Sequence, residues 1–216
     1  FILFLPKRQY YFLAKVFRES KSQLGQDLLV LSVLNLKRDG YFVEFGATNG
    51  VDLSNTYLLE KSFGWNGIVA EPALCWHERL KKNRSCHIET KCVWSESGCS
   101  IRFNEVENAE YSTVDTYSSR DMHEEKRRFG RYYDVETISL NTLLEKYDAP
   151  RSIDYLSIDT EGSELQILNS LDFEKYQFKV ITCEHNYTRD RKKILTLLEN
   201  HGYERKFRVF SRVDDW

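Results

Sequence analysis

Apolar and polar positions change period repeatedly from about residue 23 onward, and each change marks an element. Gln26–Leu36, rich in Leu and Val and stopped before Gly40, predicts a helix. Tyr41–Ala47 is a short apolar, aromatic run and predicts the first central strand. Ser54–Phe63 reads as a helix ended by Gly64, and Gly67–Ala70 as a second strand closed by Glu71-Pro72. Pro72 suits the first turn of a following helix, where its missing N–H costs nothing, and Leu74, His77 and Leu80 mark one face of that helix. His87–Trp94 predicts a third strand, and Ser100–Phe103 an antiparallel addition. Further on, Leu140, Leu143, Leu144 and Tyr147 fall on one helical face. Ile153–Ile158 predicts a buried fourth strand ending in Asp159, and Leu165, Leu168 and Leu171 a helix after it. Lys179–Thr182 predicts a fifth strand leading to Glu184-His185-Asn186. A helix marked by Ile194, Leu197 and Leu198 stops at Gly202, and Tyr203–Phe210 predicts a last strand.

Strands alternating with helices predict an α/β fold with a mainly parallel sheet. The length of 216 residues suits one domain over 1–216, with lead-in helices in residues 1–40. Residues 104–134 break the rhythm. They are polar and Tyr-rich, and include the run Glu124, Glu125, Lys126, Arg127, Arg128. Such a stretch reads either as a solvated insertion with one short helix or as a lid or substrate loop.

Composition narrows the class. With 13 Phe and 13 Tyr against 3 Pro and 10 Gly, the chain is neither disordered nor collagen-like. Acidic residues (33) nearly balance basic ones (31), so no strong field calls for nucleic acid or an anionic membrane. No apolar run reaches the roughly 18 residues needed to span a bilayer. Phe1–Leu5 is apolar but precedes Lys7 and Arg8, the reverse of a signal peptide, and reads as a packed strand or helix end. The five cysteines (Cys75, Cys86, Cys92, Cys99, Cys183) are odd in number and contain no C-x-x-C pair, which points to the reducing cytoplasm. The glycosylation-like triplets at Asn83 and Asn186 carry no meaning there.

In an open parallel sheet, ligands bind outside the carboxyl ends of the strands. Those ends carry Glu44-Phe45-Gly46-Ala47-Thr48-Asn49-Gly50, then Glu71, then Asp159-Thr160-Glu161-Gly162, then Glu184-His185-Asn186. Gly46 and Gly50 permit a tight turn close to a ligand, and Glu71 is placed to accept hydrogen bonds from both hydroxyls of a ribose. Together they suggest an adenosine cofactor. A dinucleotide fingerprint needs a middle glycine where Thr48 stands. Glu44 would repel a pyrophosphate and suit the cationic sulfonium and ammonium of S-adenosylmethionine. An NAD(P)-dependent enzyme and a non-catalytic glycan-binding or scaffolding module are the rival classes.

Gln23-Leu24-Gly25-Gln26-Asp27, Gly40–Ala47, Ser54-Asn55-Thr56, Gly64–Pro72 and Ile158–Glu164 resemble the FkbM family of methyltransferases. The resemblance runs from about Ser22 to Phe210. It implies a Rossmann-like class I methyltransferase fold. It also implies transfer of a methyl group from S-adenosylmethionine to a hydroxyl of a sugar, glycan or polyketide-like product. Carried onto this chain, it puts Glu44, Gly46, Ala47, Asn49 and Gly50 around the donor's methionine part, with Ser54, Asn55 and Asp159 nearby. Glu71 and Pro72 fall at the ribose, and Cys92 and Val93 at the adenine.

Asp159, Glu184 and His185 are the candidate catalytic set. They read as ligands of Mg²⁺ or Mn²⁺, as a His185 base oriented by either carboxylate, or as helix caps. Glu161 and Glu164 fall in a first helical turn, where carboxylates suit the helix dipole, and Glu161 reads as support. His77, His87, His123 and His201 read as ordinary surface or half-buried histidines. The expected partner is a small molecule or glycan, including nucleotide-activated sugars; a homo-oligomer stays open.

Overall fold

A computed structural model describes residues 16–209 and 211–216. The expected packed start at Phe1–Leu5, most of the lead-in before Gln26 and the end of the expected last strand at Phe210 lie outside the described residues. The main sheet has six strands: β1 (Tyr41–Phe45), β2 (Asn66–Ala70), β3 (His87–Glu89), β8 (Ser152–Ile158), β9 (Gln177–Glu184) and β10 (Asp214–Asp215). Their order is β10-β9-β8-β1-β2-β3, and every pairing is parallel except the antiparallel edge strand β10. A smaller sheet joins β4 (Cys92–Trp94), β7 (Arg131–Ser139), β5 (Ser100–Glu105) and β6 (Thr113–Val114), in the order β4-β7-β5-β6.

Helices cover both faces of the main sheet, so its central strands are apolar on both sides. In β1, Phe42 packs with Leu28 and Leu31 of α1 (Gln26–Val33) and Leu58 and Leu59 of α2 (Tyr57–Phe63). Val43 and Phe45 pack on the other face, with Leu140, Leu143 and Leu144 of α5 (Leu140–Lys146) and Ile167 and Leu168 of α6 (Glu164–Asn169). Alternation therefore sends Glu44 to the Phe42 face. The remaining helices are α3 (His77–Asn83), α4 (Glu124–Arg127) and α7 (Arg191–Asn200).

Four expectations are corrected. The third strand divides into β3 and β4, because the Glu89 carboxylate takes the N–H groups of Thr90 and Lys91 and interrupts the ladder. Residues 104–134 hold the one short helix expected of them but are more ordered than a solvated insertion. They hold β6 and α4, and the boundary at Asp134 cuts β7, whose outward residues are charged and hide the strand period. Tyr203–Phe210 forms no strand over its described residues. Val209 is 87% exposed, and β9 instead pairs with β10. Pro72 does not open an α-helix. A 3₁₀ turn, Leu74–Trp76, precedes α3, and Leu74 is half exposed while Leu80 is buried.

At the end of β1 the chain turns at Gly46, with φ 74°, beside the end of β8. A Cβ there would sit 1.9 Å from the Asp159 carbonyl oxygen. Gly46→Ala adds left-handed strain to a backbone clash, and we expect it to cost about 2–4 kcal/mol. Equilibrium urea unfolding measures the loss; an unchanged midpoint would contradict this packing.

Candidate active site

A cavity of about 230 Å³ opens at the carboxyl ends of β1, β2 and β8. Glu44, Glu71 and Asp159 all line it, as do Gly46, Pro72, Cys92 and Val93. Their side chains have different states, however, and these decide what each can do.

Glu71 is buried at the end of β2. One carboxylate oxygen accepts the Thr48 N–H at 2.8 Å, and the other accepts the Ala73 N–H at 2.8 Å. Each oxygen keeps a further lone pair, enough for the two hydroxyls of a ribose. Burial pushes Glu71 up to about 7, against the pull of the two N–H groups. Cys92, Val93 and Phe103 add an apolar part to the cavity wall. Burial drives the Cys92 thiol up to about 12, so it packs rather than reacts.

Glu44 does not act as expected. Its carboxylate accepts from Ser54 Oγ at 3.0 Å, the Asn55 N–H at 2.6 Å, Thr56 Oγ1 at 2.5 Å and Arg84 Nη1 at 3.3 Å. Arg84 is fully buried and also bonds Glu60, which its guanidinium helps hold down at about 2. The Glu44 charge is thus neutralised inside the protein, and the residue anchors the Ser54–Thr56 turn. Asn55, held by that turn, lines the cavity, and its buried Oδ1 has no partner. Asn49 folds the loop by accepting the Val51 and Asp52 N–H groups. A Cβ on Gly50 would meet Arg84 and Leu80. Ala47, Asn49, Gly50 and Ser54 shape the loop without lining the cavity.

The candidate catalytic set also divides. Asp159 and Glu184 line the cavity, but His185 does not. Consecutive residues at a strand end point to opposite faces, so turning Glu184 inward turns His185 outward. His185 Nδ1 accepts the Tyr187 N–H at 3.0 Å, and its Nε2 faces Asp215 at 3.4 Å. Glu161, expected as support in a helical turn, lies before α6 and stands where His185 was expected: ligand atoms of Asp159, Glu161 and Glu184 lie within 4.8 Å of one another. Burial raises Asp159 to about 7. The cause is the loss of water around it. Burial, Asp159 and Glu161 together raise Glu184 well above its ordinary value. Burial and Asp159 likewise push Glu161 up, against Arg127.

Arg127 was hidden in the charged run at 124–128, yet its side chain is fully buried. It donates to Tyr111 O at 2.7 Å, to both oxygens of Asp121, and to Glu161 Oε2 at 2.7 Å. Asn186 Nδ2 bridges Glu161 and Glu184. The insertion is thereby latched to the carboxylate cluster, and Ala109–Ser112, Met122 and His123 become cavity wall. No period or motif signals this, because only the fold brings Arg127 to Glu161.

A parallel sheet with one antiparallel edge strand, bearing a glycine turn and a buried acid after its first two strands, defines a Rossmann-like methyltransferase fold. The chain belongs to the FkbM methyltransferase family, whose methyltransferase domain matches residues 44–205. It is therefore a methyltransferase. No curated protein matches it. Among solved structures it is similar to the precorrin-6y C5,15-methyltransferase of Geobacter metallireducens GS-15, at 12% identity and a TM-score of 0.44, covering 82% of this chain and 70% of that one. Among the described residues, no helix is long and apolar enough to cross a membrane.

Glu71 binds its proton more tightly folded than unfolded. Between its ordinary value of 4.5 and about 7, the folded protein keeps a proton the unfolded chain has released, so this group removes stability as pH rises. Urea unfolding from pH 4.5 to 7.5 should therefore show a steeper loss in the parent protein than in Glu71→Gln. Parallel curves would show that Glu71 is not desolvated.

Proposed function

We propose that this methyltransferase uses S-adenosylmethionine and methylates a hydroxyl of a sugar, glycan or related natural product. The observation that carries the reading is buried Glu71, with an open lone pair on each oxygen, beside the Gly46 turn in one cavity. The unpartnered Asn55 Oδ1 is a second group able to accept a donor N–H. These features fit the cofactor: Glu71 would hold its ribose, Cys92 and Val93 would pack its adenine, and Gly46, Asn55 and Asp159 would surround its methionine part. The donor supplies an activated methyl group on a positively charged sulfur.

What remains for the protein is placement. Aligning acceptor and donor supplies effective molarities of about 10⁵–10⁸ M, whereas a general base adds about 10²–10⁴-fold. A polar wall suits a polyhydroxy acceptor: Glu110, Tyr111 and Ser112 face the cavity with Asp159, Glu161 and Glu184. The same three carboxylates offer the all-oxygen donor set of Mg²⁺ or Mn²⁺. His185 does not fit that set, and one Glu161 oxygen is already shared by Arg127 and Asn186. Five free thiols favour a reducing, cytoplasmic setting. A dinucleotide enzyme is disfavoured by Thr48 at the missing glycine position, with its N–H committed to Glu71.

Calorimetric titration should show S-adenosylhomocysteine binding at micromolar strength, with NAD and NADP silent. Glu71→Ala should weaken S-adenosylhomocysteine binding about 10- to 100-fold, the worth of hydrogen bonds to a charged group. Unchanged affinity would remove Glu71 from the ribose. Isothermal titration of the protein with Mg²⁺ and Mn²⁺ tests the cation reading: micromolar to millimolar binding lost in Glu184→Gln supports it, and the absence of heat refutes it.

A further inference from the structure

The carboxylate cluster and the insertion line the same cavity. The insertion contributes a titratable nitrogen base. His123 is half-buried and lines the same cavity as Asp159, Glu161 and Glu184. Its position is built rather than incidental. Its backbone N–H donates to Asp121 Oδ1 at 2.8 Å, and its ring lies against Tyr111 with centroids 4.5 Å apart. Asp121 and the Tyr111 carbonyl are two of the groups held by buried Arg127, whose third contact is Glu161. One guanidinium thus ties the segment that carries the imidazole to an acid of the same cavity.

We propose that His123, not His185, is the base that receives the proton of the acceptor hydroxyl. This rests on the methyl-transfer reading above. The acceptor oxygen forms a bond to the methyl carbon as the carbon–sulfur bond breaks, and that bond's electron pair stays on sulfur as a neutral thioether. The hydroxyl proton moves to the imidazole, which becomes imidazolium. A positive charge leaves sulfur as one arrives on His123, so charge is moved within the cavity and none is created.

The groups around the ring suit this exchange. Burial lowers its proton affinity below the ordinary value, with Lys126 and Arg127 acting in the same sense, which keeps it neutral and ready to accept. Asp121 and Glu110 pull the other way and would steady the imidazolium once formed. The carboxylates are poorly suited to the task in comparison. Glu184 Oε2 is taken by Asn186, and Glu161 is held by Arg127.

The test is independent of the unidentified acceptor. The imidazole resonances of the whole chain are titrated by NMR with S-adenosylmethionine and, separately, with S-adenosylhomocysteine, and His123→Gln identifies the His123 signal. A base facing the sulfur senses its charge. A unit charge within about 6 Å, screened as in water, displaces a titration by about half a pH unit, and by more in a drier site. His123 should therefore titrate at least half a pH unit lower with the cationic donor than with the neutral product, while His77, His87, His185 and His201 titrate alike in both. Equal His123 titrations, with both ligands bound and the Thr48 and Ala73 amides perturbed, would overturn the His123 role alone. If neither ligand perturbs those amides, the donor reading and the proposal built on it both fail.

Discussion

Five carboxylates, Glu44, Glu71, Asp159, Glu161 and Glu184, crowd the carboxyl edge of one parallel sheet, where water is largely excluded. An isolated ionised carboxylate cannot persist in such a place, so each must find a cation, N–H donors or a proton. The protein uses all three solutions. Glu44 takes Arg84 and Glu161 takes Arg127; Glu71 takes two backbone N–H groups; Asp159 and Glu184 are both pushed toward the protonated form. Much of the local architecture follows from these solutions: the Ser54–Thr56 turn closes on Glu44, the Thr48 loop on Glu71, and the insertion on Glu161.

The same solutions sort the acids by use. A carboxylate whose oxygens are taken up by a buried arginine and by the turn it closes has little accepting capacity left for a ligand. Glu44 is of this kind, although its place after a central strand suggested contact with a cationic donor. Glu71 is held by neutral N–H donors and retains accepting capacity, so it can still recognise a ligand. Removing one partner of a buried pair leaves the other charge uncompensated. Arg84 and Arg127 are consequently as much part of the site as the acids they hold.

The insertion acquires its meaning in the same way. Tyr117 donates to Gln166, Gly162 lies against the Tyr117 ring, and Thr113 donates to the Glu161 carbonyl. These contacts and the Arg127 latch turn the polar segment 104–134 into a wall over the strand ends.

Much of the fold was legible in the chain. β1, β2, β8 and β9 are apolar on both faces because helices cover both, and runs such as Phe42-Val43 and Tyr155-Leu156 announce that burial without any partner being known. Gly46 and Glu71 were legible for a local reason, since a tight turn and an acid at the next strand end are properties of short segments. What stayed hidden depends on contacts between distant residues or on which way a side chain faces. β7 carries charges on its solvent side, β10 is two residues long, and Arg127 sits in a run that looks solvated. Whether His185 or Glu161 joins Asp159 and Glu184 is decided by the alternation of directions along β9 and by the turn at Glu161, not by residue type. The chemical inventory of the site was therefore written locally. Its membership was decided by the tertiary fold, because only packing determines which buried charges meet and which face the cavity.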